Sequence, residues 1–386
     1  MFSEYKDYYL RWYHSRPVAI TTPRRVELSR LHKVMYKCIE YLIGHYEDWV
    51  PEYMPLSPRE MDILKEQSRY PFKAGTYRPD YIVSDKGQLQ ICEISSRFFA
   101  HGIFMSWFGE QDVARMLADF PGKECHSQFK EMMDYMLEIV GGKKQIFVFR
   151  SADKTAEIKL YKKFYEDNGI NCEVIGVDQI EDRTQDWAHD AFLISAMNQK
   201  DILSLSDNTL ADMIAGGICS DLRNIFLVHD KRFMALWFDD NFTSQCLDEE
   251  ETAFLRAHAI PTFLTLPADA LDNKDKYIVK PQRLGKSEGI LLGFRTSEEE
   301  WKQRLGKSAY GMITQPFIKQ KTFHTVWEGT PFEDYFCGMM MCVNDRYFES
   351  GYFRCSSFPI INMFDDRKAS PLYTDDPELL DRCDIL

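Results

Sequence analysis

Across residues 28–46 the apolar side chains of Leu31, Val34, Met35, Cys38, Ile39, Leu42 and Ile43 return every three or four positions, which predicts an amphipathic helix with one face in a core. Pro51, Pro55, Pro58 and Pro71 then punctuate the chain, and Ser57-Pro58-Arg59-Glu60 carries the start signals of another helix. From Tyr77 to Phe98 the period falls to two, predicting two strands joined by a turn at 84–87. An apolar strand over 145–150, a helix over 154–168 stopped at Gly169, and a strand over 171–177 make a βαβ unit. Residues 207–214 and 230–238 read as helical, and from about residue 274 the pattern turns to strands with a helix at 297–305. There Tyr277, Ile278 and Val279 form a strand that Pro281 stops, a glycine-bearing loop spans 285–289, and a second strand covers 290–294.

Two of these segments carry candidate chemistry. Lys280 ends an apolar run just before the loop Gly285-Lys286-Ser287-Glu288-Gly289, where glycines let backbone N–H groups approach phosphate oxygens and Lys280 and Lys286 add positive charge. The loop is not a Walker A motif, because the residue five before Gly285 is Lys280 rather than glycine. A surface hairpin with two solvated lysines is the competing reading. In the earlier hairpin, strand pairing brings Asp80 near Glu93, and Glu93 and Ser95 share a strand face. Two carboxylates and a hydroxyl form an all-oxygen set suited to Mg²⁺. Alternatively, Asp80 caps a turn and Glu93 pairs with Arg78 or Arg97. The βαβ unit has no Gly-x-Gly-x-x-Gly and so no dinucleotide fingerprint.

Composition narrows the classes. A chain of 386 residues, 45% apolar and 14% aromatic, can bury a sizeable core in two or three subdomains. A net charge of -13 argues against electrostatic nucleic-acid binding. With no run of eighteen apolar residues and no signal-peptide order at Met1, the chain is expected to be soluble and cytoplasmic, with no membrane partner. Ten cysteines without any Cys-x-x-Cys lack zinc spacing and fit a reducing compartment. Boundaries are expected near residues 140 and 220: a helical N-terminal segment plus the acid hairpin over 1–140, a Rossmann-like domain over 141–220, and a nucleotide region over 221–386.

The ordered series Arg78-x-Asp80, Glu93-x-Ser95, Asp230-Lys231-x-x-x-x-x-Trp237, Lys280-Pro281 and Gly351-x-x-Arg354 resembles the ATP-grasp ligases. Within them it is most similar to glutathionylspermidine synthetase-like enzymes, with eukaryotic-type glutathione synthetases as more distant kin, and the likeness covers most of the chain from Arg78 to Asn362. The resemblance implies an α/β (α+β) ATP-grasp fold, preceded by a Rossmann-like βαβ substrate domain and a helical N-terminal segment. It implies ATP and a pair of Mg²⁺ ions as cofactors, and small-molecule carboxylate and amine substrates joined through an acyl phosphate; a homodimer is left open.

Residue by residue, it implies Asp80 and Glu93 as metal ligands, with Ser95 standing where the family has asparagine. Arg78 and Arg354 become the arginines that stabilise the transferring charge, and Lys231 and Lys280 the phosphate-contacting lysines. Gly285, Lys286, Ser287 and Gly289 form the loop over the phosphates, while Gln315, Phe317 and Ile318 lie on the strand passing adenine. Leu284 stands where relatives carry an acid, which makes Glu288 a candidate ligand further on, and Asn362 is another. Small hydroxylated peptide-binding residues are replaced here by Arg97, Phe98, Phe99 and Ala100; Arg97 and Phe98 would then meet a different substrate, or the rings are core. His101 and His229 lie near the motifs and read as structural. A noncatalytic nucleotide-binding protein and a small-molecule phosphotransferase are the rival classes.

Overall fold

The computed structural model describes residues 1–97, 101–151, 157–187, 190–285, 288–308, 311–361 and 367–386. Its first long helix, Thr22–Gly44, buries the expected stripe from Leu28 to Ile43, but it begins earlier than the apolar period because Pro23 supplies a start in the first turn. The next capped helix, Pro58–Gln67, is closed by a reciprocal box: the Ser57 hydroxyl accepts the Glu60 N–H, and the Glu60 carboxylate accepts the Ser57 N–H at 2.7 Å.

The predicted hairpin is present as strands Thr76–Val83 and Leu89–Ser95, paired antiparallel. It belongs to an eight-stranded sheet whose other members come from far along the chain. Strand Thr330–Met339 flanks the hairpin with Cys337 opposite Ile82, Gly338 opposite Tyr81 and Met339 opposite Asp80, and Phe353–Ser356 pairs beyond it. Gly338 is required there, since a Cβ would fall 2.0 Å from the Tyr81 ring.

A smaller antiparallel sheet holds Tyr277–Pro281 between Leu291–Leu292 and Met312–Pro316. The helix Glu298–Ser308 covers its back, packing buried Trp301 and Leu305 on Val279 and Leu291. The strand expected over 290–294 is cut to two residues because Gly293 lies against the backbone at Lys274, so close that a Cβ would meet the Lys274 carbonyl. The chain turns there into a short 3-10 helix, Gly293–Arg295.

The βαβ unit folds as read: Gln145–Arg150 and Asn171–Gly176 run parallel, the helix Glu157–Asp167 lies between them in sequence, and Gly169 ends the crossover at φ 74°. A third parallel strand, Ala191–Ala196, joins the other side of Gln145–Arg150. The helix expected over 230–238 contracts to Phe233–Leu236, preceded by a π-helical turn, Asn224–Val228. Among the described residues no helix is long and apolar enough to cross a membrane. The molecule is thus mixed α/β, with large and small antiparallel sheets meeting at one cleft.

Candidate active site

An irregularity in the hairpin shapes the acid end of that cleft. Asp80 pairs with Glu93, yet the next residue, Tyr81, pairs with Ile91, leaving Cys92 as an extra residue on its strand. Neighbouring strand residues normally face opposite sides; the bulge lets both Cys92 and Glu93 line the cleft beside Asp80 and Ile82. Across from them stand Lys280 and Ile278, two residues apart on one face of the Tyr277–Pro281 strand, and Arg354 from the large sheet. The cleft is open, and the space within it, its solvent mouth included, is about 800 Å³.

Charge is tightly arranged there. Arg78 grips Asp80 with two hydrogen bonds, Nε to Oδ1 at 2.6 Å and Nη2 to Oδ2 at 2.8 Å. Burial nevertheless raises the Asp80 carboxyl above its ordinary range, outweighing the Arg78 attraction, and the Glu93 charge adds to the rise. Burial acts on Glu93 too, but the ammonium groups of Lys231 and Lys280, with Arg78 behind them, overcome it and hold that carboxyl down to about 2. Lys231 Nζ stands 3.5 Å from the Glu93 carboxylate. Lys280 Nζ donates to the Cys92 carbonyl at 3.4 Å, and burial lowers its pKa. Acids from an early hairpin and lysines from two later segments therefore share one buried centre.

Lys231 is also fastened to the loop beyond Lys280. Its backbone N–H donates to the Gln282 carbonyl at 2.9 Å and its ammonium to the Leu284 carbonyl at 2.7 Å. Arg283 completes the fastening, with Nε 2.9 Å from Asp230 and Nη1 2.6 Å from Glu60. The π-helical turn just upstream ends on the His229 N–H, which donates to the Asn224 carbonyl at 2.8 Å and so sets the start of the Asp230-Lys231 segment.

Away from the acids the cleft is mostly apolar, lined by Ile260, Phe317, Ile318 and Ile360, with Gln315 and Gln320 as polar exceptions. Gln315 sits opposite Ile278 in register and is fully buried. Its Nε2 donates to Thr262 Oγ1 at 2.9 Å, while its Oε1 has no partner among the described residues.

Of the residues singled out from sequence, the structure gathers Asp80, Glu93, Lys280, Gln315, Phe317, Ile318 and Arg354 around the cleft, with Arg78 and Lys231 touching its acids. Ser95 lies opposite Arg78, two residues from Glu93 on the same strand face. Arg97 follows the strand, half-buried, and its charge acts on both His101 and His229. Glu288 and Gly289 are exposed and Gly285 half-buried; none of the three lines the cleft, although Gly289 packs so closely on Pro281 that a Cβ would lie 2.8 Å from it. Phe98, Lys286, Ser287 and Asn362 lie outside the described residues. Sequence reading missed Arg283, although it stands two residues past Pro281, and Glu60, whose capping role masks its second partner. It also missed Thr262, which no motif marks.

The donor set fits magnesium in kind: it is all oxygen, with two carboxylates at paired strand positions. Among the described residues no group of three or more His, Cys, Asp or Glu side chains could hold a metal ion, so further ligands would come from phosphates and water.

A family model described as the AnkG N-terminal domain matches residues 31–227, just over half the chain, and the chain belongs to that family. It is similar to the ATP-grasp enzyme ankG of Aspergillus thermomutatus, at 24% identity over 374 aligned positions covering 80% of this chain and 77% of the relative. A Methylobacillus flagellatus crystal structure carried under the name gamma-glutamylcysteine synthetase shares 8% identity at TM-score 0.45, over 92% of this chain and 90% of its own; a likeness so slight carries no argument. The fold is mixed α/β, and the relative's name, that of an ATP-grasp enzyme, agrees with the motif order. The narrower likeness to glutathionylspermidine synthetases rests on the motifs alone.

Proposed function

We propose that the protein is a cytoplasmic ATP-dependent carboxylate–amine ligase that forms an amide bond on a small amino acid, peptide or polyamine substrate. The observation that carries this reading is the single centre in which Asp80 and Glu93 meet Lys231 and Lys280, at the mouth of an apolar cleft. Such a cleft suits a nucleotide whose base enters the isoleucine-lined end and whose phosphates reach the lysines. The unpartnered Gln315 acceptor then faces a base that offers an amino N–H, as adenine does.

Asp80 and Glu93, with Ser95 beside them, would hold Mg²⁺, which supplies charge compensation at the phosphates when bound. Lys231 leaves the Leu284 carbonyl, and Lys280 the Cys92 carbonyl, for phosphate oxygens. The bond from the γ-phosphorus to its bridging oxygen breaks as a substrate carboxylate oxygen bonds to that phosphorus, and ADP departs. An amine nitrogen then attacks the acyl carbon, inorganic phosphate leaves with its C–O bond electrons, and the nitrogen loses one proton. Arg78, beside Asp80, and Arg354, in the cleft wall, would stabilise the developing negative charge, a task that fixed guanidinium donors suit.

The test incubates the protein with ATP, Mg²⁺ and pooled amino acids, peptides and polyamines, following ADP and new masses. Amide products with ADP are expected; phosphorylated products without amide point to a phosphotransferase, and bound nucleotide without ADP to a noncatalytic protein. Lys280→Ala and Glu93→Ala are each expected to lower turnover by about a hundredfold or more. Circular dichroism should show both folded; full activity in both overturns the site.

A further inference from the structure

Just past the acids, where the Leu89–Ser95 strand ends, three buried polar atoms have no hydrogen-bond partner among the described residues: Ser96 Oγ, His101 Nε2 and His229 Nε2. Their residues are 2%, 8% and 6% exposed, so bulk solvent does not reach them. They form one neighbourhood. The Ser96 N–H donates to His229 Nδ1 at 3.4 Å, and Arg78 Nη1 donates to the His101 carbonyl at 3.2 Å. Because His229 Nδ1 accepts, the ring proton sits on Nε2, which makes that atom a donor; the Ser96 hydroxyl is a second.

The backbone around this pair is held with care. His101 adopts φ 35°, a left-handed conformation rare for a residue with a side chain. Immediately after it, the Gly102 and Phe104 N–H groups are bound by the Glu157 carboxylate at 2.9 and 3.0 Å. Buried donors without acceptors and a locally strained backbone are both unfavourable, and they persist together where a ligand supplies what is missing. Two donors call for an acceptor oxygen; of the charges that bear on the imidazoles, Arg78 is held by Asp80, Lys231 by Glu93 and Asp230 by Arg232 and Arg283, and Arg97 adds a positive contribution.

We propose that Ser96 Oγ–H and His229 Nε2–H, beside Arg97, form a binding subsite for the carboxylate of a small organic acid. That this acid is the one activated rests on the ligase reading; that the pocket binds a carboxylate does not. Neither histidine acts as a base in this arrangement. His229 is a donor fixed by Ser96, and His101 shapes the turn.

The experiment is isothermal titration of the full chain, loaded with MgADP, against a panel of amino acids and dicarboxylic acids, with inorganic phosphate as the rival anion. At least one carboxylate should bind saturably to the wild type. Ser96→Ala and His229→Leu should each weaken it about tenfold, the loss of one hydrogen bond to a charged group. His229→Gln, which restores an N–H near the Nε2 position, should recover most of that loss, and MgADP affinity should stay within about twofold in all three variants. The proposal falls if no carboxylate binds the wild type, if phosphate binds with the same sensitivity to both substitutions, or if His229→Gln is as poor as His229→Leu. A carboxylate that binds without any ADP release from ATP would leave the subsite standing and remove the ligase reading.

Discussion

Thr262 donates its hydroxyl hydrogen to the Ile260 carbonyl at 3.1 Å, so toward Gln315 it has only lone pairs to offer. The Gln315 amide must therefore point its NH₂ at Thr262 and leave its oxygen free, which fixes an orientation that side-chain shape alone would not. Thr262→Val removes that constraint and lets the amide turn over. Competition binding should show adenine nucleotide affinity weakened by about 1 kcal/mol, roughly fivefold, and the preference over guanine nucleotides reduced. An unchanged preference would separate Gln315 from base selection. Nothing of this was legible in sequence: Gln315 was marked by its strand, but Thr262 lies 53 positions away. By contrast, Asp80 and Glu93 were legible as neighbours because both lie on one hairpin, although the register set by the turn would place Asp80 opposite Cys92 and the bulge moves it to Glu93.

Elements set what those residues can reach. The segment from Gln282 to Leu284 is lashed to Lys231 by two carbonyls and to the helix Pro58–Gln67 by the Arg283–Glu60 ion pair, so the loop after Lys280 inherits the position of a distant helix. Glu60 and Asp230 are 5% and 0% exposed at the side chain, and removing Arg283 strips both of a partner. Arg283→Ala is expected to raise the KM for ATP by about tenfold and to reduce stability by about 1–3 kcal/mol, with Arg283→Lys intermediate. Steady-state kinetics and thermal unfolding check the two effects separately. Periodicity located the Thr22–Gly44 helix and both hairpin strands, since each depends on residues near one another in sequence. It overextended the strand at 290–294 and the helix at 230–238, because a backbone contact with Lys274 and a π-helical turn cut these elements short.

For the whole molecule, Asp334 is the point where distant stretches are joined. Its fully buried carboxylate receives Arg367 at 2.5 and 2.9 Å and Ser357 at 3.0 Å, with His14 Nε2 at 3.1 Å, binding an N-terminal segment to late strands of the large sheet. Burial alone would raise this carboxyl, but His14 and Arg367 prevail and hold it down to about 2. A folded-state value below the ordinary 3.8 means the contribution is complete above about pH 4 and is lost as the pH falls through 2, on the order of 2 kcal/mol in all. Asp334→Asn should flatten that part of the acid-unfolding curve and lower stability at neutral pH by about 3 kcal/mol. Equal acid sensitivity in variant and wild type would refute the assignment.

By itself the sequence determined the local elements, the hairpin that brings two acids near one another, and the order of motifs that resembles an ATP-grasp enzyme. Those properties depend on spacing along the chain, and spacing is what a sequence states directly. Only the tertiary structure decided that Cys92 turns into the cleft with Glu93, that Lys231 leans on the loop after Lys280, and that Ser96, His101 and His229 are left with unmet hydrogen bonds. Each of these follows from a bulge, a sheet register or a contact between segments scores of residues apart, where burial and charge are set by neighbours the local pattern does not specify.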